Sequence, residues 1–152
     1  MKRVEIKLNV EIVAPLLDVI REAADDLRPK LASDPQLPEH DAEFAEVWTR
    51  DLLAHQNNDI EHFIALFDRD FFAEGVIALE SHNSEPVLRA SAAVRLRLRA
   101  KHLATLGDET LETGLLVAVK LPDEQRRAFA AYVFLATLQE LVVQHLDPTE
   151  QE

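Results

Sequence analysis

Three side chains that could share a metal ion lie close together in the middle of the chain: His55, Asp59 and His62. If one helix ran through them without a break, their i, i+4 and i+7 spacing would put them on one face. Two imidazoles and a carboxylate can hold a divalent metal with open coordination positions, and such a site can activate water. This spacing gives one hypothesis, a metal-binding protein or a metal-dependent hydrolase.

The pair Asn57-Asn58 argues against that site. Asn is favoured at helix ends and turns, and Asn58 with Glu61 three residues later has the arrangement of a capping box. We therefore predict two helices here, about 38–56 and 59–67, which would separate the three side chains. We favour the interpretation that they are surface or interface residues, and we expect no cofactor.

The second candidate is a basic segment inside an acidic chain of net charge −12. Residues 33–87 carry 13 acidic and 2 basic side chains, whereas residues 88–106 carry five basic side chains and no acidic one. Arg95, Arg99 and His102 fall at i, i+4 and i+7, so they share a helix face. That face is either an anion or nucleic-acid site, or a set of cations paired with the carboxylates of 33–87.

We favour ion pairing, within the chain or across a homodimer. Nucleic-acid-binding domains are usually basic, and no aromatic residue is interleaved here to stack bases. We therefore predict that Arg95 and Arg99 contact Asp or Glu side chains and that nucleic acid is not a partner. The core-facing stripe of this helix is predicted to be Ala93, Leu96, Ala100 and Leu103.

Composition removes several classes of function. With no Cys there is no disulfide, thiol nucleophile or cysteine metal site, and the 3 Gly match no nucleotide-binding loop. No serine has the glycines of a nucleophile elbow around it. The N-terminus is not a signal peptide, and no apolar run approaches the roughly 20 residues that span a bilayer. We expect a cytoplasmic protein of bacterial type, with no membrane partner.

The periodicity of the chain predicts an all-α fold, a single helical domain over 1–152 with about six helices. Val4, Ile6 and Leu8 alternate with charged residues, so residues 1–8 are predicted to be a short strand or an extended arm. Asn9 can cap a first helix to about Leu27. Later helices are predicted at about 70–82, 84–106, 109–119 and 122–146, followed by a frayed acidic tail over 147–152.

The last helix is the most apolar. Of the nineteen residues from Ala128 to Leu146, fourteen are apolar, which predicts a buried C-terminal helix at the centre of the bundle. Its polar stripe is predicted to be Thr137, Glu140 and Gln144, and its buried residues to include Phe134, Leu138 and Leu141. A second apolar group is expected to be core, or alternatively a partner groove: Ile60, Phe63, Ile64, Phe67, Phe71 and Phe72.

Residues 132–143 carry a resemblance. An aromatic residue is followed by Leu135-x-x-Leu138-Gln139-Glu140 and an apolar end, which resembles the closing helix of an uncharacterised, all-helical bacterial family, a domain of unknown function common in actinobacteria. A weaker similarity covers Leu16-Leu17 and residues 96–98. The resemblance brings no catalytic residues. It implies a gene neighbourhood beside the Clp-protease adaptor ClpS, which would favour a role in regulation or proteolysis.

Together these observations favour a non-enzymatic protein–protein interaction or regulatory protein over an enzyme, with a protein partner or a second copy of the chain. The alternative is metal binding or hydrolysis at His55, Asp59 and His62. The third possibility is a nucleic-acid-binding regulator that uses residues 88–106.

Overall fold

The computed structural model describes residues 3–35, 41–107 and 121–146, with side chains through Gln144. The predicted helix at 109–119 and the predicted tail at 147–152 lie outside these ranges. The elements follow in chain order: β1 (Val4–Lys7), α1 (Val10–Asp26), α2 (Ala42–Ala65), α3 (Arg69–Glu74), β2 (Val76–Leu79), α4 (Ser84–His102) and α5 (Asp123–Leu146).

The fold is mostly helical, as predicted, but six helices are not supported. The described residues form four long helices, the short α3 and a two-stranded sheet. Two expectations were wrong: the predicted helices at 38–56 and 59–67 are the single helix α2, and the predicted helix at 70–82 is α3 followed by β2.

The N-terminal strand is confirmed, but it is not a free arm. β1 pairs antiparallel with β2, with Val4 opposite Leu79 and Lys7 opposite Val76. The Leu8 N–H extends the ladder by donating to the Gly75 carbonyl at 2.6 Å. The strand that begins the described chain therefore finds its pairing partner within the same chain.

Gly75 explains why the chain leaves the helix there. It has a φ of +74° and donates its N–H to the Phe71 carbonyl at 2.7 Å, which is a left-handed helix end. The following Val-Ile-Ala-Leu segment alternates in burial, with Ile77 and Leu79 facing the core. The strand was missed because its apolar run also suits a helix.

The first helix begins as predicted. The Asn9 side chain accepts hydrogen bonds from the N–H groups of Glu11 and Ile12, at 3.0 and 3.3 Å. These bonds satisfy two of the donors that a helix start leaves open. The residues that α1 buries follow helical spacing: Val13, Leu16, Leu17, Ile20, Ala23 and Ala24.

The centre of the bundle is α4, not α5. α4 packs against α1, α2 and α5, and it buries Val87, Ser91, Val94 and Leu98 at helical spacing. The predicted core stripe was largely wrong, because Leu96 and Ala100 are exposed and Ala93 is half-buried. The buried face contains the small residues Ala90 and Ser91, which let neighbouring helices pack closely. A prediction from hydrophobicity alone does not identify this face, because Ser91 is polar.

α5 packs against α4 and α1 by one face. Leu138 is buried as predicted, whereas Phe134 and Leu141 are only partly covered. The predicted polar stripe of Thr137, Glu140 and Gln144 is exposed. Because Ala130 and Val143 are exposed beside it, the helix is amphipathic and not surrounded.

The phenylalanine group is core, as expected. Phe63, Phe67 and Phe71 are buried and meet edge to face, with ring centroids 5.5 and 5.2 Å apart. Phe72 alone of the four turns outward and is 50% exposed.

Candidate functional site

The helix α2 passes through Asn57-Asn58 without a break, contrary to prediction. Two side chains at this point, Gln56 and Asn57, bond to the segment after α1 instead of to their own backbone. Gln56 donates to the carbonyls of Leu27 and Lys30, both at 2.9 Å, and Asn57 donates to the Arg28 carbonyl at 3.1 Å. These tertiary bonds remove the competition that makes Asn a helix breaker.

One continuous helix brings His55, Asp59 and His62 into the spacing that a metal site would need, but not into one site. Both carboxylate oxygens of Asp59 accept hydrogen bonds from Arg89, at 2.9 and 3.0 Å. His55 is exposed and borders a groove, while His62 faces a different cleft. Within the described ranges, no group of three His, Asp or Glu side chains could hold a metal ion.

The cleft at His62 contains a second imidazole, which sequence spacing did not reveal. The rings of His62 and His82 are 6.3 Å apart, and the cleft has a volume of about 400 Å³. His82 Nδ1 lies 3.5 Å from one oxygen of Glu80, whose other oxygen accepts a hydrogen bond from Arg3 at 3.0 Å. Both carboxylate oxygens of Glu80 are therefore engaged by neighbouring side chains.

The basic helix α4 is paired with carboxylates of its own chain through Arg89, Arg97 and Lys101. Arg95 does not contact a carboxylate as predicted, and the carboxylate contact of Arg99 stays a prediction. Arg97 and Lys101 bond to Asp26 on α1, and Lys101 also bonds to Glu22 at 2.7 Å. Arg89 bonds to Asp59 on α2, so ion pairs join this helix to both α1 and α2.

Arg95 differs from prediction. It donates to the amide oxygen of Gln139 at 2.6 Å, and its guanidinium lies 4.4 Å from the centre of the Tyr132 ring. The rotation of α4 that buries Val94 and Leu98 turns Arg95 toward α5, which offers an amide and an aromatic ring at this point. Arg99 is exposed one turn later, and the mostly buried His102 has Nδ1 3.7 Å from Glu124.

The contacts of Lys101 shift the protonation of the groups around it. Its hydrogen bonds lower the pKa of Glu22 and of Asp26, and those two carboxylates raise the pKa of Lys101. Desolvation opposes each of these pKa shifts but is outweighed by the hydrogen bonds. The cluster therefore joins α1 to α4 and stays fully ionised over a wide range of pH.

A continuous stripe of exposed apolar side chains lies on the first half of α2. No side chain from Ala42 to Asn58 is buried. Phe44, Val47 and Trp48 are 49%, 52% and 46% exposed, and the rings of Phe44 and Trp48 stack with centroids 5.8 Å apart. We call residues 42–55 the α2 arm. It is a helix whose apolar stripe no other described element covers.

A groove continues this stripe toward the body of the protein. It has a volume of about 570 Å³, and it lies between residues 31–35, α2 and α4. Leu52 and His55 line it from α2, and Leu96, which is 47% exposed, lines it from α4. The Asp59–Arg89 pair also lines it. A mostly apolar groove with a few convergent polar groups is typical of a binding site.

The charges of the α2 arm are acidic. Glu43, Val47 and Asp51 follow one another at four-residue spacing, so they lie on the same helix face. A carboxylate therefore lies one turn before Val47 and another one turn after it. Arg50 is the one Lys or Arg from Asp41 to His55, and it lies 3.6 Å from Glu46. We call the stripe and the groove together the docking face.

Comparison with known proteins agrees with the resemblance in the sequence. The family model described as a domain of unknown function (DUF2017) matches residues 11–146, a range that includes all the described helices except the first residue of α1. Comparison with curated proteins and with solved structures gave no match. Within the described ranges, no helix is both long and apolar enough to cross a membrane.

Proposed function

This chain belongs to the family described as a domain of unknown function (DUF2017), and from that premise we propose that it is a protein–protein interaction module that binds its partner at the docking face. One observation carries the proposal. Three large apolar side chains, Phe44, Val47 and Trp48, stand about half exposed on a helix half that buries nothing. Contiguous apolar patches rimmed by polar groups mark interaction sites.

The energetics of the arm favour a role outside folding. Full burial of a large apolar side chain contributes about 1.5–3 kcal/mol, so a partner that covers the exposed half of each gains about 1 kcal/mol per residue. The arm contributes little of this kind to the folded chain, since its side chains are exposed or half-buried. The aromatic pair Phe44 and Trp48 is also the residue type that anchors interfaces.

Photo-crosslinking in host cells tests the proposal. A photoreactive residue is placed at Val47 on the docking face and, in a matched control, at Val143 on α5. The two valines are 52% and 53% exposed, so the crosslinker meets solvent equally at both positions. We expect a discrete adduct heavier than the chain from position 47 and none from position 143. The adduct from position 47 is expected to disappear when Phe44→Ser is added.

Two outcomes would contradict the proposal. One is the same set of adducts from both positions, which would mean that the docking face meets no particular partner. The other is no adduct from position 47 in cells where the chain is folded and expressed at its native level.

A further inference from the structure

We infer that the occupant of the docking face is an amphipathic helix of another protein whose apolar stripe is flanked by Lys and Arg. The inference rests on the proposed function and adds the chemistry of the partner. It draws on three features of the described residues: the helical walls of the face, its length and its charge.

The walls select a helix over an extended segment. α2 and α4 form most of the face, and helices satisfy their own backbone hydrogen bonds, so they offer no edge to a strand. An extended segment would leave its own N–H and C=O groups unpaired as it became buried. A helix brings its backbone already bonded and needs only matching side chains.

The length of the face suits a helix of three to four turns. From Phe44 to His55 the arm extends about 17 Å at 1.5 Å per residue. An amphipathic helix presents apolar anchors at i, i+3 or i+4, and i+7. Such anchors can cover Phe44 and Trp48 and then enter the groove beside Leu52 and Leu96.

The charge of the face selects a basic partner. Asp41, Glu43 and Asp51 are exposed on or beside the stripe, and Arg50, the one arginine of the arm, lies close to Glu46. Arg89, which lines the groove, is already bonded to Asp59. Lys or Arg residues on the flanks of the partner would meet these carboxylates, which speeds association and fixes orientation. The same charge repels nucleic-acid phosphates.

A second copy of the chain fits the face less well. Two arms side by side would oppose acidic stripes, and each chain carries a net charge of −12. The basic helix of a second copy offers little compensation, because Arg89, Arg97 and Lys101 already bond to carboxylates of their own chain. Like charges placed opposite each other oppose association.

Trp48 is the one tryptophan of the chain, so its emission reports directly on the docking face. The purified full chain is titrated with two helical peptides of about 16 residues, roughly four turns. They share one apolar face and differ only in carrying Lys or Glu at the flanking positions. We expect a saturable blue shift with the Lys peptide, at least about tenfold tighter than with the Glu peptide, and weaker in high salt.

Charge-reversal variants locate the contact. The double variant Glu43→Lys, Asp51→Lys should bind the Lys peptide at least about tenfold more weakly than the native chain does, and it should bind the Glu peptide more tightly. The matched control is Glu11→Lys with Asp18→Lys, which also replaces a first-turn Glu and a mid-helix Asp, both exposed, on α1. That control changes the net charge equally and should leave the affinity for both peptides unchanged.

The outcomes separate the inference from the proposed function. Equal affinity for both peptides, or no shift with either, overturns the inference, while a discrete adduct from position 47 would still support the proposed function. A blue shift of Trp48 that grows with protein concentration and without peptide identifies a second copy as the occupant and also overturns the inference. Absence of the adduct removes the proposed function itself.

Discussion

Arg89 on α4 holds Asp59 on α2 by two parallel hydrogen bonds, from Nε to Oδ2 at 2.9 Å and from Nη2 to Oδ1 at 3.0 Å. The Asp59 side chain is 9% exposed, whereas that of Arg89 is 56% exposed. The hydrogen bond to Asp59 raises the pKa of Arg89 above its usual value. The pair joins the central helix to α2 where the groove meets the body.

The unequal exposure of this pair predicts unequal effects of removing its members. Arg89→Met leaves a buried carboxylate without its partner, and we expect it to lower the free energy of unfolding by about 3 kcal/mol. Asp59→Ala leaves an arginine that reaches water and Glu85, 3.7 Å away, and should cost about 1 kcal/mol. Urea unfolding measures both. A larger loss for Asp59→Ala would contradict the claim that an unpaired, buried Asp59 carboxylate costs more than an unpaired, exposed Arg89.

The Lys101 cluster predicts a pH dependence with two limits. The lowered pKa values of Glu22 and Asp26 mean that their contribution is present above the ordinary values of 4.5 and 3.8 and is lost as the pH falls through the folded-state pKa values. The raised pKa of Lys101 means that its contribution is present below 10.5 and is lost as the pH rises through its folded-state pKa.

Lys101→Gln isolates this contribution from the other carboxylates of the chain. The difference in free energy of unfolding between the native chain and the variant should be constant between about pH 5 and pH 10. It should shrink below about pH 4 and again above about pH 10.5. Denaturant midpoints measured across pH give the difference. A difference that does not change at either limit would contradict the ion-paired cluster.

Replacement by alanine should affect stability much more at Gly75 than at Gly107. At Gly75 the φ of +74° is strained for any other residue, and an added Cβ would collide with the Leu8 carbonyl oxygen. We expect Gly75→Ala to cost at least about 1–2 kcal/mol. Nothing lies within 4 Å of a Cβ at Gly107, so Gly107→Ala should change the stability by less than about 0.5 kcal/mol. Equal effects of the two substitutions in urea unfolding would contradict the left-handed end of α3 at Gly75 and its close approach to Leu8.

Local signals in the sequence predicted several elements correctly. The cap at Asn9, the start of α4 at Ser84 and the alternation in β1 each depend on a few neighbouring residues. The buried phenylalanines and Leu138 followed from hydrophobicity. Phe44, Val47 and Trp48 fall on one face of α2 by helical spacing, but nothing in the sequence indicates that this face remains uncovered.

The errors came from contacts between distant residues. Asn57 reads as a helix breaker until the Arg28 carbonyl accepts its side-chain N–H. The orientation of α4 depends on which residues of α1, α2 and α5 it meets, so Leu96 and Arg95 were placed wrongly. His82 could not be associated with His62 from spacing, because the α3–β2 turn at Gly75 brings them together.

The central claim is tested most directly with the partner that crosslinks to position 47. Its affinity is measured for two matched variants of the chain. Phe44 and Phe72 are 49% and 50% exposed, and one lies on the docking face while the other lies on α3. Phe44→Ser should weaken binding at least about fivefold, as the loss of about 1 kcal/mol of apolar burial would. Phe72→Ser should bind like the native chain. Equal affinities for the two variants would contradict the account.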